Sequence, residues 1–152
     1  IAGYGTQEAS LHFLVRKMED SMNIEKGQVL FLGNVDNKKM METDACKKIL
    51  LMASSTEGMP TAIAEAFSVG VPVVSTAVGD IPKVVVNGKN GELLPVEFED
   101  EDYIAALMKV LDNYEMYGTN AYEASKPFNR ETITRMVIRD IYDYLQKNET
   151  TE

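Results

Sequence analysis

Two glutamates stand where the sequence otherwise reads as protein interior. In the stretch STEGMPTAIAEAFSVGVPVVS, Glu57 precedes a Gly-Met-Pro turn and Glu65 lies inside an alanine-rich segment. Pro60 near the start of that segment and Gly70 after it predict a helix between them. Backbone N–H groups at a helix start bind anions, and carboxylates accept hydrogen bonds from hydroxyl groups. The two glutamates therefore predict a site for a ligand that carries both hydroxyl groups and phosphate.

The same two residues also have ordinary structural interpretations. Glu57 is in a position to cap the N-terminus of the predicted helix, and Glu65 could be a solvent-facing helix residue. The apolar neighbours of Glu65 in AIAEAF weigh against the second interpretation. A carboxylate in such surroundings needs hydrogen-bond partners or a place at a cleft.

Three further loops contain glycine after a predicted strand. GYGT has Gly3 and Gly5, but Glu8 stands where the dinucleotide-binding fingerprint needs a third glycine. This loop is either a tight strand-to-helix turn or a place where the backbone approaches a phosphate or a sugar. Gly33 in FLGNVDN is likewise a plain turn or a close approach. Gly79 in STAVGDIP is a turn glycine or a second site of backbone amides.

The composition is that of a globular domain and excludes several classes of function. The 152-residue chain has 45% hydrophobic residues and a net charge of −9, which disfavours a nucleic-acid partner. Its single cysteine, Cys46, rules out a disulfide framework and a thiolate metal cluster. The only histidine, His12, lies in a helical pattern where a surface or packing role is expected. No apolar run spans a bilayer and no signal peptide opens the chain, so a cytoplasmic location is expected.

Short apolar runs alternate with helical patterns before Glu99. The first helix is expected to follow Thr6 as its N-cap. IAGYG is interpreted as the end of a strand that runs into a glycine turn, and the other predicted strands are Gln28–Gly33, Lys47–Ser54, Val71–Thr76 and Glu92–Leu94. A short helix is predicted in NKKMMETDA and another turn or helix around DIPKVVV.

This alternation predicts an α/β domain with a doubly wound, Rossmann-like parallel sheet and helices on both faces. In that architecture ligands bind beyond the carboxyl ends of the strands. Four loops are therefore expected at one edge of the sheet: Gly3–Thr6, Gly33–Asp36, Ser54–Thr61 and Thr76–Ile81.

From about Glu99 the pattern becomes helical. Three amphipathic helices are predicted, over Asp100–Gly118, over Asn120–Phe128 and from Asn129 onward. The last of them has an apolar face formed by Ile133, Met136, Val137, Ile141, Tyr144 and Leu145. The predicted domain covers residues 1–147, and a polar, frayed tail covers 148–152.

A longer pattern surrounds the two glutamates. VLFLG is followed by a block from Glu57 to Gly79 that reads EG-x-P…EA-x-x-x-G-x-PVV-x-T…G, and then by an NG…NG-x-L element at Asn87–Leu93. Over nearly its whole length the chain resembles the C-terminal, nucleotide-sugar-binding domain of the retaining GT-B glycosyltransferases. Within these it is most similar to the group one family, often called family four. The resemblance implies half of a GT-B fold, a nucleoside diphosphate sugar donor and retaining transfer of the sugar to an acceptor.

The resemblance also implies roles for individual positions. The first glutamate of the family motif, here Glu57, lies beside the donor sugar and is tied to catalysis, and the second, here Glu65, takes the ribose hydroxyls. The sugar and diphosphate are approached by Gly58, Met59, Pro60 and Thr61, and the nucleobase is lined by Asn34 and Val35. The family works without a bound metal, so neither a metal nor a cofactor is expected, and retention implies front-face attack with the leaving phosphate as base.

The chain opens at IAGYG without an initiator methionine, and we interpret it as a piece of a longer protein. The resemblance assigns the acceptor-binding N-terminal domain and the basic phosphate-binding residues to the missing part, together with any peripheral membrane association. The fragment alone is therefore expected to be inactive. Asp80 and Lys83 stand where the family commonly has a glycine and a glutamate.

Two other functions fit the same architecture. One is a non-catalytic nucleotide-binding or regulatory module, a possibility for which the departures at Asp80 and Lys83 leave room. The other is a sugar-nucleotide epimerase, which would use a set of carboxylates and histidines. His12 is too little for such a set, so the epimerase is the weaker of the two.

Overall fold

The computed structural model describes residues 1, 5–21, 24–33, 35 and 49–149. The chain consists of two compact units, Ile1–Met40 and Met41–Glu152. The second unit contains the sheet and both glutamates of the motif. The short helix predicted in NKKMMETDA lies outside the described residues.

The first unit contains helix α1, Glu8–Asp20. The prediction of Thr6 as its N-cap is wrong, because Gln7 occupies that position and no side chain caps the helix. The surface or packing role expected for His12 is confirmed, since its ring stacks on that of Phe31 with the centroids 3.8 Å apart and its side chain is 42% exposed.

The strand predicted over Gln28–Gly33 is not a regular strand. Gly33 forms a single β-bridge, and the residues before it are irregular. The segment is nonetheless extended enough to bond to the start of the chain, because the Leu32 N–H donates to the Ile1 carbonyl over 2.8 Å. The apolar run that ends in glycine thus makes a strand-like hydrogen bond but does not form a regular strand.

Within its described residues, the second unit contains a sheet of three parallel strands. These are β1 (Leu50–Met52), β2 (Val73–Thr76) and β3 (Gly91–Leu94), in the order β1-β2-β3. Leu50 pairs with Val73, and Val73 pairs with Gly91. The predicted parallel α/β sheet is confirmed in these strands.

Successive residues of β2 enter two different cores, as the alternation of side chains in a strand requires. Val73 belongs to one core with Ile63, Phe67 and Ile81. On the other face Val74 packs in a second core, whose buried members include Val110 and Tyr117. Helices therefore cover both faces, as the continuous apolar character of VPVVST predicts.

The apolar run at Lys47–Ser54 predicts a buried strand, and this prediction is wrong for β1. Leu51 is 50% exposed, and Leu50 and Met52 are only partly buried. Among the described strands β1 lies at an edge, so one of its sides has no neighbour there. In the described sheet, β2 is the strand whose residues are all buried.

Helix α2 (Thr61–Ser68) joins β1 to β2, and helix α3 (Ile81–Val84) is a single turn after β2. Three longer helices follow: α4 (Asp100–Asp112), α5 (Tyr114–Ser125) and α6 (Arg130–Glu149), with a 3₁₀ turn at Lys126–Phe128 between the last two. Residues 150–152 lie outside the described part.

The predicted boundary at Gly118 between two C-terminal helices is wrong. The break falls at Asn113, and Gly118 lies inside α5. The glycine is there because α5 crosses closely over the end of α2: a Cβ on Gly118 would lie 2.9 Å from the Gly70 carbonyl oxygen. A helix-interior glycine can thus mark close packing instead of a helix end.

The apolar face of α6 is exposed. Its six predicted residues are between 46% and 68% exposed. None of the helices within the described residues combines the length and the apolar character that crossing a membrane requires.

Candidate functional site

Glu57 lies in the loop that joins β1 to α2. Its carboxylate is half-buried, and its Oε1 accepts a hydrogen bond of 2.8 Å from the Ser54 hydroxyl. Ser54 stands at the carboxyl end of β1, where ligands bind in parallel α/β sheets. The serine therefore orients one oxygen of the carboxylate at the ligand-binding edge.

The helix after this loop begins without a side-chain cap. Pro60 is its N-cap residue, and no side chain of the described residues caps the first turn of α2. The alternative that Glu57 caps this helix is therefore not met. The N–H groups of Thr61 and Ala62 have no carbonyl four residues earlier within the helix, which leaves the helix start open to an anion.

Glu65 lies in the second turn of α2, beside the buried face of Ile63, Ala66 and Phe67. It is half-buried, and within the described residues no hydrogen bond or ion pair involves its carboxylate. The expected protein partner is thus absent from that part of the chain. Since helical side chains lean toward the N-terminus, the Glu65 side chain is inclined toward Thr61, one turn earlier.

The end of β2 holds the Glu57 loop in place. Thr76 is 1% exposed, and its hydroxyl donates to the Ser54 carbonyl oxygen. The Asp80 N–H donates to the Gly58 carbonyl oxygen over 3.0 Å. The loops Ser54–Thr61 and Thr76–Ile81 therefore meet at one edge of the sheet, as predicted.

Gly79 between these bonds makes the closest contact. It has φ +54°, and a Cβ built on it would lie 2.0 Å from the Glu57 carbonyl oxygen. The sequence interpretations were a turn or a site of backbone amides. The structure shows a turn whose glycine also allows the backbone of Glu57 and Gly58 to come close.

The remaining predicted site residues divide between the two units. Gly58 is exposed and Met59 half-buried in the Glu57 loop. Gly5 and Val35 are described in the unit Ile1–Met40, and their place in the site stays a prediction. Gly3 and Asn34 lie outside the described residues.

The two departures from the family pattern are coupled. Lys83 Nζ lies 2.7 Å from Asp80 Oδ1, and both side chains are mostly exposed, at 74% and 53%. The pair lies on α3 and its N-cap, immediately beside the Glu57 loop. A positive and a negative group therefore replace a glycine and a glutamate together.

An acidic triplet of the Asp-x-Asp type occurs at Asp100–Asp102, away from the two glutamates in sequence. It forms the first turn of α4, where the side chains of Glu99 and Asp102 make a capping box. Across the part of the chain that the structure describes, no group of three or more metal-binding side chains comes together.

Sequence reasoning located Glu57 and Glu65 but missed Ser54 and Thr76. Both are small hydroxyl residues at strand ends, a pattern too common to single out. Thr76 meets Ser54 across 22 positions of sequence, so nothing local to either residue indicates the contact.

The family model described as glycosyl transferases group 1 matches residues 1–126 of the chain. The N-acetyl-alpha-D-glucosaminyl L-malate synthase of Bacillus anthracis is 30% identical over 149 residues, covering 96% of this chain and 37% of that enzyme. The putative colanic acid biosynthesis glycosyltransferase WcaL of Salmonella typhimurium is 38% identical over 147 residues, covering 90% and 35%. The chain spans about a third of the length of these relatives.

Solved structures share the fold. The pneumococcal O-GlcNAc transferase GtfA, in complex with UDP and GlcNAc, has a TM-score of 0.76 at 18% identity over 95% of this chain and 29% of its own. Anabaena Alr3699/HepE, in complex with UDP-glucose, has a TM-score of 0.71 at 21% identity over 93% and 40%. The likeness identifies the fold as that of the GT-B glycosyltransferases.

Proposed function

Because the chain belongs to the glycosyl transferases group 1 family, we propose that it is the donor-binding, C-terminal half of a retaining, family-four GT-B glycosyltransferase. The donor is a nucleoside diphosphate sugar. The acceptor-binding half belongs to the rest of a longer, cytoplasmic protein, which transfers the sugar only when both halves are present.

One observation carries the proposal. An oriented carboxylate, Glu57, stands three residues before an uncapped helix start at the carboxyl edge of a parallel sheet. A helix start of this kind binds a diphosphate through its N–H groups and its dipole. The carboxylate before it is then beside the sugar that the diphosphate carries.

The other predicted residues take up the rest of the donor. Gly58, Met59, Pro60 and Thr61 approach the sugar and diphosphate, and Glu65 accepts hydrogen bonds from the ribose hydroxyls. The lack of a partner for the Glu65 carboxylate among the described residues supports this role, because a half-buried carboxylate is stabilised by a hydroxyl donor.

The nucleobase lies against Asn34 and Val35, and Gly3 and Gly5 let the backbone approach the ligand. Asn34 and Val35 follow from the family resemblance, whereas Gly3 and Gly5 follow from their place in a glycine loop at the expected ligand-binding edge. HepE and GtfA, which share the fold, are complexes with UDP-glucose and with UDP, and this likeness supports a nucleotide-sugar ligand.

The reaction needs no metal in this proposal. Negative charge on the departing diphosphate is stabilised by the start of α2 and by basic residues of the longer protein. The leaving phosphate then accepts the proton of the acceptor hydroxyl as that hydroxyl attacks the front face of the sugar. Glu57 stabilises the sugar as positive charge develops on it.

The exposed ion pair of Asp80 and Lys83 keeps a second candidate open, a nucleotide-binding regulatory module without transfer activity. Turnover separates the two. The full-length protein is incubated with UDP-, GDP- and ADP-sugars in the presence of EDTA, and release of the nucleoside diphosphate to water is measured.

Hydrolysis of one donor that persists in EDTA and is lost in Glu57→Ala supports a metal-independent transferase. A thermal upshift with a nucleoside diphosphate but no hydrolysis of any donor supports the regulatory module, since a ligand of the native state raises its melting temperature. If no donor is hydrolysed and no nucleotide produces a thermal shift, the proposed function is overturned.

A further inference from the structure

We propose that the end of β2 is a positioning element for the Glu57 carboxylate, acting through Thr76 and Gly79. The inference rests on the catalytic role proposed above for Glu57. It assigns a role in the reaction to two residues that would not themselves touch the donor.

A short chain of contacts leads from β2 to the carboxylate. The buried Thr76 hydroxyl donates to the Ser54 carbonyl oxygen. The hydroxyl of the same serine donates to Glu57 Oε1 over 2.8 Å. The backbone and the side chain of Ser54 therefore connect a fixed residue of the sheet to the carboxylate.

Gly79 fixes the other side of the loop. Its absent side chain lets the Glu57 carbonyl oxygen approach to 2.0 Å from the Cβ position, and the Gly58 carbonyl oxygen to 2.6 Å. Both are backbone atoms, so a methyl group there forces the backbones of the two loops apart at Glu57 and Gly58. The Asp80 N–H bond to Gly58 holds the two loops at this separation.

The burial of the two strands indicates that β2 positions the Glu57 loop, and not the reverse. All four residues of β2 are buried, and the strand has a neighbour on each side. β1, which leads into the Glu57 loop, is an edge strand in the described sheet and is only partly buried. The central strand is the better-fixed partner, so its end sets where the carboxylate lies.

The chain offers a matched control for Gly79→Ala. Gly88 also has a positive φ, +73°, but a Cβ added to it meets nothing within 4 Å. Both substitutions force alanine into a left-handed conformation. Only Gly79→Ala also displaces the backbone of Glu57.

Donor hydrolysis and affinity for the free nucleoside diphosphate are measured in the full-length protein, with the donor of highest turnover among UDP-, GDP- and ADP-sugars. Gly79→Ala is expected to lower kcat by about a hundredfold, the size of a 1 Å misplacement at a reacting centre. Its affinity for the nucleoside diphosphate is expected to fall less than kcat, and Gly88→Ala keeps the wild-type kcat.

Thr76 provides a second test that does not depend on the folding of Gly79→Ala. Thr76→Val keeps the shape but removes the hydroxyl, whereas Thr76→Ser keeps the hydroxyl. Thr76→Val is expected to lower kcat while nucleotide affinity is retained, and Thr76→Ser is expected to restore kcat. If Thr76 had a purely structural role, Thr76→Val and Thr76→Ser would both change the melting temperature, and kcat and nucleotide affinity would change together.

Two failures are distinguishable. If Glu57→Ala keeps wild-type hydrolysis, the catalytic role of Glu57 and the proposed function are at fault. If Glu57→Ala is inactive but Gly79→Ala matches Gly88→Ala, or Thr76→Val matches Thr76→Ser in kcat, the positioning inference is overturned while the proposed function stands.

Discussion

The Tyr117 hydroxyl of α5 donates a hydrogen bond to the buried carboxylate of Glu92 on β3. Glu92 is 7% exposed and has two further donors, the Gly88 N–H at 2.7 Å and Lys109 Nζ at 3.0 Å. A single carboxylate therefore joins β3 to two helices and to the turn that precedes the strand. The buried charge is tolerated because one of its oxygens, Oε1, has all three of these donors.

Removing the tyrosine hydroxyl is expected to destabilise the protein. Tyr117→Phe leaves the Glu92 carboxylate buried with one donor fewer, which costs about 1–3 kcal/mol. Urea denaturation of the full-length protein measures the loss. Tyr122→Phe, on the same helix at a 51% exposed position, is the control and should have little effect. Equal effects of the two substitutions would contradict the importance of the Glu92 contact.

Glu92 should also contribute to acid sensitivity. Burial acts to raise its pKa, but the hydrogen bonds from Tyr117, Lys109 and Gly88 and the charge of Lys109 outweigh burial, so the pKa is lowered. The unfolded chain then binds the proton first as pH falls. The contribution to stability is present above the unfolded pKa of about 4.3 and is lost as pH falls through the folded value.

Glu92→Gln removes this titration. The unfolding free energy of the variant should fall less steeply than that of the wild type as pH drops from about 5 to about 3. Glu97→Gln, at an exposed position, should keep the wild-type slope. The measurement is urea denaturation across that pH range, and parallel slopes for Glu92→Gln and the wild type would exclude the contribution.

Gly118 gives a prediction whose sign separates two effects. In an exposed helix, glycine to alanine stabilises by about 1 kcal/mol because alanine favours the helix. At Gly118 the new Cβ would lie 2.9 Å from the Gly70 carbonyl oxygen, so we expect Gly118→Ala to destabilise. Thr119→Ala, at the exposed neighbouring position, is the control and should be neutral or stabilising. A higher melting temperature for Gly118→Ala would show that the two helices separate easily.

The sequence predicted the elements whose signals lie within one contiguous stretch of the chain. The apolar run at Val71–Thr76 and the proline and glycine around Thr61–Ser68 gave β2 and α2 closely. The helix break at Asn113 was missed because glycine is common at helix ends, and Gly118 therefore predicts the end of the helix. Its actual role is a contact with Gly70, which is remote in sequence and therefore leaves no local signal.

In the candidate site, too, some residues were predictable from contiguous sequence and others were not. Glu57 and Glu65 were found because their loop and helix are contiguous in sequence. The contacts of Thr76 with Ser54 and of Gly79 with Glu57 depend on which strands are neighbours in the sheet. Strand neighbours are a tertiary property, so the two glutamates were predictable and their support was not.

Glu65 should contribute to binding and Glu57 to turnover. Hydrogen bonds from ribose hydroxyls to a carboxylate are worth about 1.5–3 kcal/mol, so Glu65→Ala should weaken binding of the nucleoside diphosphate roughly ten- to a hundredfold. Titration calorimetry with UDP, GDP and ADP measures this in the full-length protein. Glu57→Ala is the matched comparison, because its carboxylate is assigned to the sugar, which the free nucleoside diphosphate lacks.

A donor analogue makes the comparison more specific. A nucleoside diphosphate sugar built on a 2′-deoxyribose lacks one of the hydroxyls assigned to Glu65, so wild type and Glu65→Ala should differ less in affinity for it than for the ribose form. Glu65→Ala should have little effect on the stability of the fold, because Glu65 makes no side-chain hydrogen bond with the described residues that the substitution would break. Equal affinities of Glu65→Ala and the wild type for the ribose nucleotide would contradict the ribose role and leave that of Glu57 untouched.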